Sequence, residues 1–175
     1  MGDNRNEKEM VGVLEKIFSN INSWLTFAEA KNAAIIAFNI AVIAALFSGA
    51  DILGKTLFFY LINVIMVVSS GLALIAFIPN MGNNKKTIEV KEEQNNLLLY
   101  SHIAKYTKEK YLIALYKEYF NSIKQESDLS KIELDYADEI TYNAEITINK
   151  YKWFRRALYV DFIGIIGILI LIILA

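Results

Sequence analysis

The chain contains no cysteine, one histidine (His102) and one proline (Pro79). The missing thiols exclude disulfides and thiolate metal sites. A lone histidine excludes a multi-histidine metal centre. With one proline and eight glycines in 175 residues, the punctuation of a turn-rich β fold is lacking, and long uninterrupted helices are expected. The net charge is −1, so there is no bulk basic footprint for a nucleic-acid polymer. Enzyme signatures are missing as well: no G-x-S-x-G, no glycine-rich phosphate loop, no H-E-x-x-H and no Cys–His pair. The sequence reads as a non-enzyme with no bound cofactor.

What the chain has in quantity is apolar surface. Hydrophobic residues make up 55% of it, and the mean hydropathy is +0.32. Three segments reach the roughly 20 apolar residues needed to cross a bilayer. They run from about Ala33 to Ala50, from about Thr56 to Ile78 and from about Ala157 to Ala175. None holds a Lys or Arg. The first follows 32 mixed-charge residues without a basic n-region, so it reads as an uncleaved anchor and not as a signal peptide. The expected class is an all-α integral membrane protein. Its parts are an amphipathic helix at 1–32, a transmembrane hairpin at 33–79, a helical region at 80–156 and a third transmembrane helix at 157–175.

Charge sets the expected orientation. The stretch from Asn80 to Arg156 carries thirteen cations, whereas the short loop from Asp51 to Lys55 carries one. Nearest the spans are Lys85, Lys86, Lys150, Lys152, Arg155 and Arg156. The positive-inside rule then places the N-terminus and the middle region in the cytoplasm and Ala175 outside.

Within the polar segments, residues 1–6 read as disordered. Leu14, Ile17, Phe18, Ile21, Trp24, Leu25 and Ala28 then recur at helical spacing. That helix could lie on the membrane or pack on other helices, and its mixed-charge polar face favours packing. LLLYSHIAKY is open between a short helix, a strand and an irregular turn. Thr107 is placed to cap a helix running to about Gln125, with Glu109 in its first turn. The expected inner stripe of that helix is Tyr111, Leu112, Leu115, Tyr119 and Ile123. Asp128 or Ser130 should start the last element. From Leu129 to Ile163 there is no Gly or Pro. One helix of roughly 45 residues is expected to enter the third span, with a stripe of Leu129, Ile132, Tyr136, Ile140, Asn143, Ile146, Ile148 and Tyr151. The alternative is a break near Lys150. Asp135, Asp138 and Glu139 have Lys neighbours and read as a solvated face.

The candidate functional groups lie in the spans. Asn39, Ser69, Ser70 and Asp161 fall at similar depth, roughly 7–14 Å inside the same boundary. An ionised carboxylate at such a depth costs on the order of 2–3 kcal/mol, so Asp161 should face protein or water. Two uses remain open: glue within a fixed bundle, or the lining of a pore or oligomer interface. Three spans are too few to enclose a channel, so a pore implies a homo-oligomer. Asn63 lies nearer the other leaflet.

Several short stretches together resemble a known family. They are AEAKNAA (Ala28–Ala34) leading into a span with Asn39, the Ile78–Pro79 stop, LLYSHIAKYTKEKYLIAL (Leu98–Leu115) and NKYKWFRRA (Asn149–Ala157). In this order they resemble the transmembrane effectors of Pycsar-type antiphage defence, relatives of small multi-span effectors paired with nucleotide second-messenger synthases. Ser101 and His102 stand where the family pattern would have Gly and Asp. The resemblance implies a ligand, a cyclic pyrimidine mononucleotide, and loss of inner-membrane integrity when the effector assembles, an abortive-infection response. The chain has no β-rich segment like a cyclic-nucleotide-binding domain. A ligand site would therefore be built from helices: Tyr100, Tyr106 and Tyr111 to stack a base, Lys105, Lys108, Lys110, Arg155 or Arg156 to meet a phosphate, and His102 beside them. The competing function is a passive membrane scaffold that docks a partner protein.

Overall fold

The computed structural model describes residues 2–78 and 96–175. Pro79, Lys85, Lys86 and the run from Thr87 to Gln94, which the turn and charge arguments used, lie outside the described residues. The described residues form six α-helices and one 3-10 turn, with no strand among them. The helices are α1 (Gly2–Ser48), α2 (Ala50–Leu53), α3 (Leu57–Ile75), α4 (Tyr100–Ile103), α5 (Lys108–Phe120) and α6 (Lys131–Leu174), and the 3-10 turn spans Glu126–Asp128. α1, α3 and α6 are long and apolar enough to cross a membrane, and the chain is an all-α membrane protein.

Local chemistry sets most of the helix ends. Residues 2–6, expected to be disordered, belong to α1, because no proline interrupts the helical propensity that follows. The α1–α3 link turns at Gly54, whose φ of 74° suits a residue without a Cβ. Thr56 then caps α3, its hydroxyl oxygen accepting from the Phe59 N–H at 3.2 Å. Tyr100–Ile103 of the ambiguous LLLYSHIAKY stretch forms a single helical turn. Thr107 caps α5 as expected, and Glu109 sits in its first turn. The end of α5 differs from expectation. It stops at Phe120 and not near Gln125, because Asn121 adopts the left-handed conformation (φ 47°) and returns its N–H to the Tyr116 carbonyl. Ile123 is consequently 93% exposed and Tyr119 half-exposed, while Tyr116 takes the inner position.

α6 is one helix of 44 residues, about 66 Å long at 1.5 Å per residue, with no break at Lys150. It begins after Ser130, whose N–H and Oγ–H both donate to Glu133 Oε2 at 2.9 Å. This is the S-x-x-E capping arrangement. Its buried stripe is Glu133, Ala137, Ile140, Ala144 and Thr147. Of the expected stripe Ile140 is buried and Leu129 and Tyr136 pack against the core, whereas Ile132 is 51% exposed. Small residues on this face let α6 approach its neighbours, which a count of large apolar residues does not register.

The chain divides into two compact units, and α1 and α6 contribute residues to each. The polar unit comprises Met1–Thr26 and Asn80–Ile148. Its core joins Met10, Leu14, Ile17 and Ile21 of α1 to Ile103, Leu112, Leu115, Tyr116 and Ile140. Phe18 packs edge-on against Tyr136 at 6.0 Å, and Trp24 lies tilted against Tyr100 at 5.6 Å. Lys108 pairs with Asp138 at 3.4 Å, and Lys131 with Asp135. The span unit comprises Phe27–Pro79 and Asn149–Ala175. One of its apolar clusters is Leu46, Ala50, Phe59, Ile62 and Leu171. The other is Ile35, Ala73 and Ala157.

Candidate functional site

In the span unit four polar contacts fix the register of α1, α3 and α6. Asn32 Nδ2–H donates to the Ala28 carbonyl at 2.9 Å and to the Lys150 carbonyl at 3.3 Å, which ties α1 to α6. Lys150 Nζ–H donates to the Ala76 carbonyl at 2.7 Å and pairs with Glu29 at 3.1 Å. That carbonyl is among those a helix end leaves without an intrahelical partner, so Lys150 closes the end of α3 while holding α1. Lys31 Nζ lies 4.5 Å from the Phe27 ring, 5.2 Å from Tyr151 and 5.4 Å from Phe154. Seven residues further along, Ser69 Oγ–H donates to the Ala157 carbonyl at 3.0 Å. Beyond it α3 and α6 touch closely. A Cβ on Gly164 would stand 2.5 Å from Met66 Sδ, and one on Gly167 would stand 3.1 Å from Ile62 Cγ1. A side chain at Gly164 would push the Met66 thioether aside, and one at Gly167 would require Ile62 to give by a few tenths of an ångström.

This register brings three of the four expected intramembrane groups together. Asn39 lies seven residues after Asn32 and so stands level with Ala157, where Ser69 bonds. Asp161 lies one turn further, roughly 6 Å along α6. Asn39 and Ser69 are fully buried and Asp161 is 3% exposed. All three are therefore enclosed within the three-helix bundle of a single chain. Ser70 is different: it is half-buried and donates to the Met66 carbonyl of its own helix at 3.1 Å. Asn63 is buried nearer the other end and bonds the Phe59 carbonyl at 2.9 Å.

The electrostatics of this layer are unbalanced. Both side-chain polar atoms of Asn39 and Oδ1 of Asp161 are buried without a hydrogen-bond partner among the described residues. Each such atom costs on the order of 1–3 kcal/mol, and the surrounding apolar dielectric enlarges the effect. Asn32 Oδ1 and Asn63 Oδ1 are in the same condition.

The residues expected to meet a nucleotide divide between the two units. Tyr100, His102, Lys105, Tyr106 and Tyr111 belong to the polar unit, and Arg155 and Arg156 to the span unit. Tyr106 and Tyr111 come together, with ring centroids 6.0 Å apart. Tyr111 is fully buried, and its hydroxyl donates to the Leu97 carbonyl at 2.7 Å. Burial raises its pKa above the usual tyrosine range, with smaller contributions from Tyr119 and Tyr106. His102 Nδ1 accepts from the Asn96 N–H at 2.8 Å and so secures the turn that enters α4. Lys105, Arg155 and Arg156 are exposed.

Sequence reasoning missed two polar nodes. Asn32 and Lys150 form the boundary clamp. The one available signal was that Asn32 precedes Asn39 by seven residues and thus shares its helix face. Glu133 is 1% exposed and accepts from Tyr116 Oη–H at 2.5 Å in addition to its bonds from Ser130. The Ser130-x-x-Glu133 spacing announced the cap, but its burial was not legible.

Three comparisons bear on this architecture. A Pycsar effector protein from Propioniciclava tarda, PtPycTM, is 26% identical over 163 residues, covering 89% of this chain and 75% of that protein. No solved structure matches the chain. The family described as the Pycsar effector protein domain matches residues 13–175, which takes in both units and all three spans, so the chain belongs to the Pycsar family of antiphage-defence effectors.

Proposed function

We propose that this protein is a membrane effector that a cyclic nucleotide messenger switches from a closed bundle to a homo-oligomer that breaches the bacterial inner membrane. The observation that carries the reading is the buried layer of Asn39, Ser69 and Asp161, whose polar atoms are left partly unpartnered inside apolar spans. A finished bundle has no use for such groups. An assembly that turns them toward water, or toward a second copy, relieves their cost. A messenger needs only to bind that second arrangement better than the first. The action is binding and assembly, without catalysis.

The messenger, a cyclic pyrimidine mononucleotide, binds the polar unit in this reading. Tyr100 and Tyr106 offer ring faces to its base, Lys105 meets its phosphate, and Tyr111 supports Tyr106 from the core. α1 and α6 have residues in both units and carry the change into the spans. The charge distribution orients the polar unit and the N-terminus toward the cytoplasm, where a messenger is made, and the end of α6 outward.

The test is dye and ion release from liposomes that hold the purified protein, across a panel of cyclic nucleotides. Release with one nucleotide and not the others is expected. Asp161→Leu should insert normally and lose that release. Tight liposomes under every nucleotide would overturn the reading and favour a scaffold that docks a partner protein.

A further inference from the structure

Arg155 and Arg156 sit deeper than a boundary charge should. The clamp of Glu29, Asn32, Lys150 and Ala76 fixes the level at which α1 and α3 meet the start of the third span. The two arginines lie five and six residues beyond Lys150, roughly 8–9 Å further along α6. Counted from the Asn32–Lys150 contact, Arg156 is level with Phe38 of α1. Counted from the Ser69–Ala157 bond, it is level with Ser70 of α3. At that level the outer surface of the spans is apolar at Phe38, which is 45% exposed.

Both guanidinium groups are exposed. Lys152, Arg155, Arg156 and Tyr159 follow one another at positions i, i+3, i+4 and i+7. They share the face of α6 opposite the buried stripe of Ala157, Asp161, Gly164 and Leu171. Tyr159 is 62% exposed, and Arg156 stacks on Trp153 at 4.5 Å. Among the described residues no carboxylate pairs with either arginine. A second copy offers none at this depth either. The carboxylates of the span unit are Glu29, held by Lys150, Asp51, held by Lys55 at the far end, and Asp161, buried. The anion a bilayer does supply at this depth, once the long side chains extend toward the interface, is the lipid phosphate.

We infer that Arg155 and Arg156, flanked by Lys152, Trp153 and Tyr159, form a binding site for the phosphodiester of an anionic phospholipid. The two planar forks grip the phosphate oxygens, Trp153 fixes the Arg156 fork, and Tyr159 lies along the upper acyl chain. The site rests on the three-span reading of the chain but not on messenger activation.

The experiment uses the full-length protein in neutral detergent, probed with phosphatidylglycerol, phosphatidylcholine and free cyclic nucleotides. Retained lipid is counted by native mass spectrometry, and the rise in melting temperature is measured in parallel. Selective retention of phosphatidylglycerol is expected. An Arg155→Gln/Arg156→Gln variant should retain it roughly ten- to thirty-fold more weakly, given two phosphate-facing cations. Lys55→Gln, a charge removed at the other end of the spans, should leave retention unchanged and so controls for net charge. Arg155→Lys/Arg156→Lys should recover only part of it, because the charge returns without the fork. Equal retention of phosphatidylcholine, or phosphatidylglycerol retention undiminished in the double Gln variant, would overturn the site. Loss of cyclic nucleotide binding in that variant with lipid retention intact would also overturn it and return the arginines to the messenger. Failure of nucleotide-dependent leakage leaves this lipid readout untouched, so the two readings fail separately.

Discussion

The two units treat buried polar groups in opposite ways. In the polar unit they are matched. Glu133 receives Tyr116 Oη–H, Ser130 N–H and Ser130 Oγ–H, and the buried Tyr111 hydroxyl finds the Leu97 carbonyl. In the span unit, among the described residues, Asn39 has no hydrogen-bond partner for either side-chain polar atom, and Asp161 has none for Oδ1. A water-facing domain gains stability by satisfying its interior. A span bundle built only for stability would use leucine at these places, since each interhelical hydrogen bond in a membrane is worth only about 0.6–2 kcal/mol. The difference is what the proposed switch rests on: among the described residues the unpartnered buried side-chain atoms lie in the span unit.

The comparison can be broken or sharpened by substitution. The largest effect is expected from Leu112→Ala in the packed core of the polar unit, which should cost about 2–5 kcal/mol, read as a fall in melting temperature and in membrane-inserted yield. Glu133→Ala comes next. It removes the cap of α6 and strands the Tyr116 hydroxyl, a loss of about 2–3 kcal/mol in the same melting assay. Gln at that position should restore only part of it, because its single carbonyl oxygen can accept from Tyr116 or from Ser130 but its NH2 cannot accept from the other. The span unit should respond with the opposite sign: Asn39→Leu and Asp161→Leu are each expected to be neutral or to raise stability by about 1–2 kcal/mol, while nucleotide-dependent leakage disappears. A destabilised Asn39→Leu would show the layer to be ordinary packing and would erase the contrast between the units.

The smallest effect is a pH dependence. Burial raises the pKa of Tyr111 above that of an unfolded tyrosine, so its contribution is fully present below the unfolded value of about 10. That contribution is lost as the pH climbs beyond 10, when the unfolded chain gives up the proton that the folded chain keeps. Melting curves at rising alkaline pH should therefore fall more steeply for the wild type than for Tyr111→Phe.

Much of this was legible in the order of residues. The number of spans, the Thr107 cap, the unbroken last helix and the shared depth of Asn39, Ser69 and Asp161 all follow from composition, spacing and the fixed rise of a helix. These are local quantities, carried by residues within a few turns of one another. Contacts made across the chain were not legible. The turn that ends α5 at Asn121 depends on a left-handed residue that the apolar pattern ignores. The phase of α6 is set by Ala137, Ala144 and Thr147, small enough to let neighbours close in, whereas Ile132 drew the eye and faces out. In the spans nearly every residue is apolar, so periodicity cannot say which face turns inward. Gly164 against Met66, Ser69 against Ala157 and Lys150 against Ala76 decided that. The sequence by itself determined that polar groups would share one level of a membrane bundle. Tertiary packing alone decided that they lie sealed inside a single chain and partly unpartnered, because close approach between distant segments depends on shape and not on local pattern.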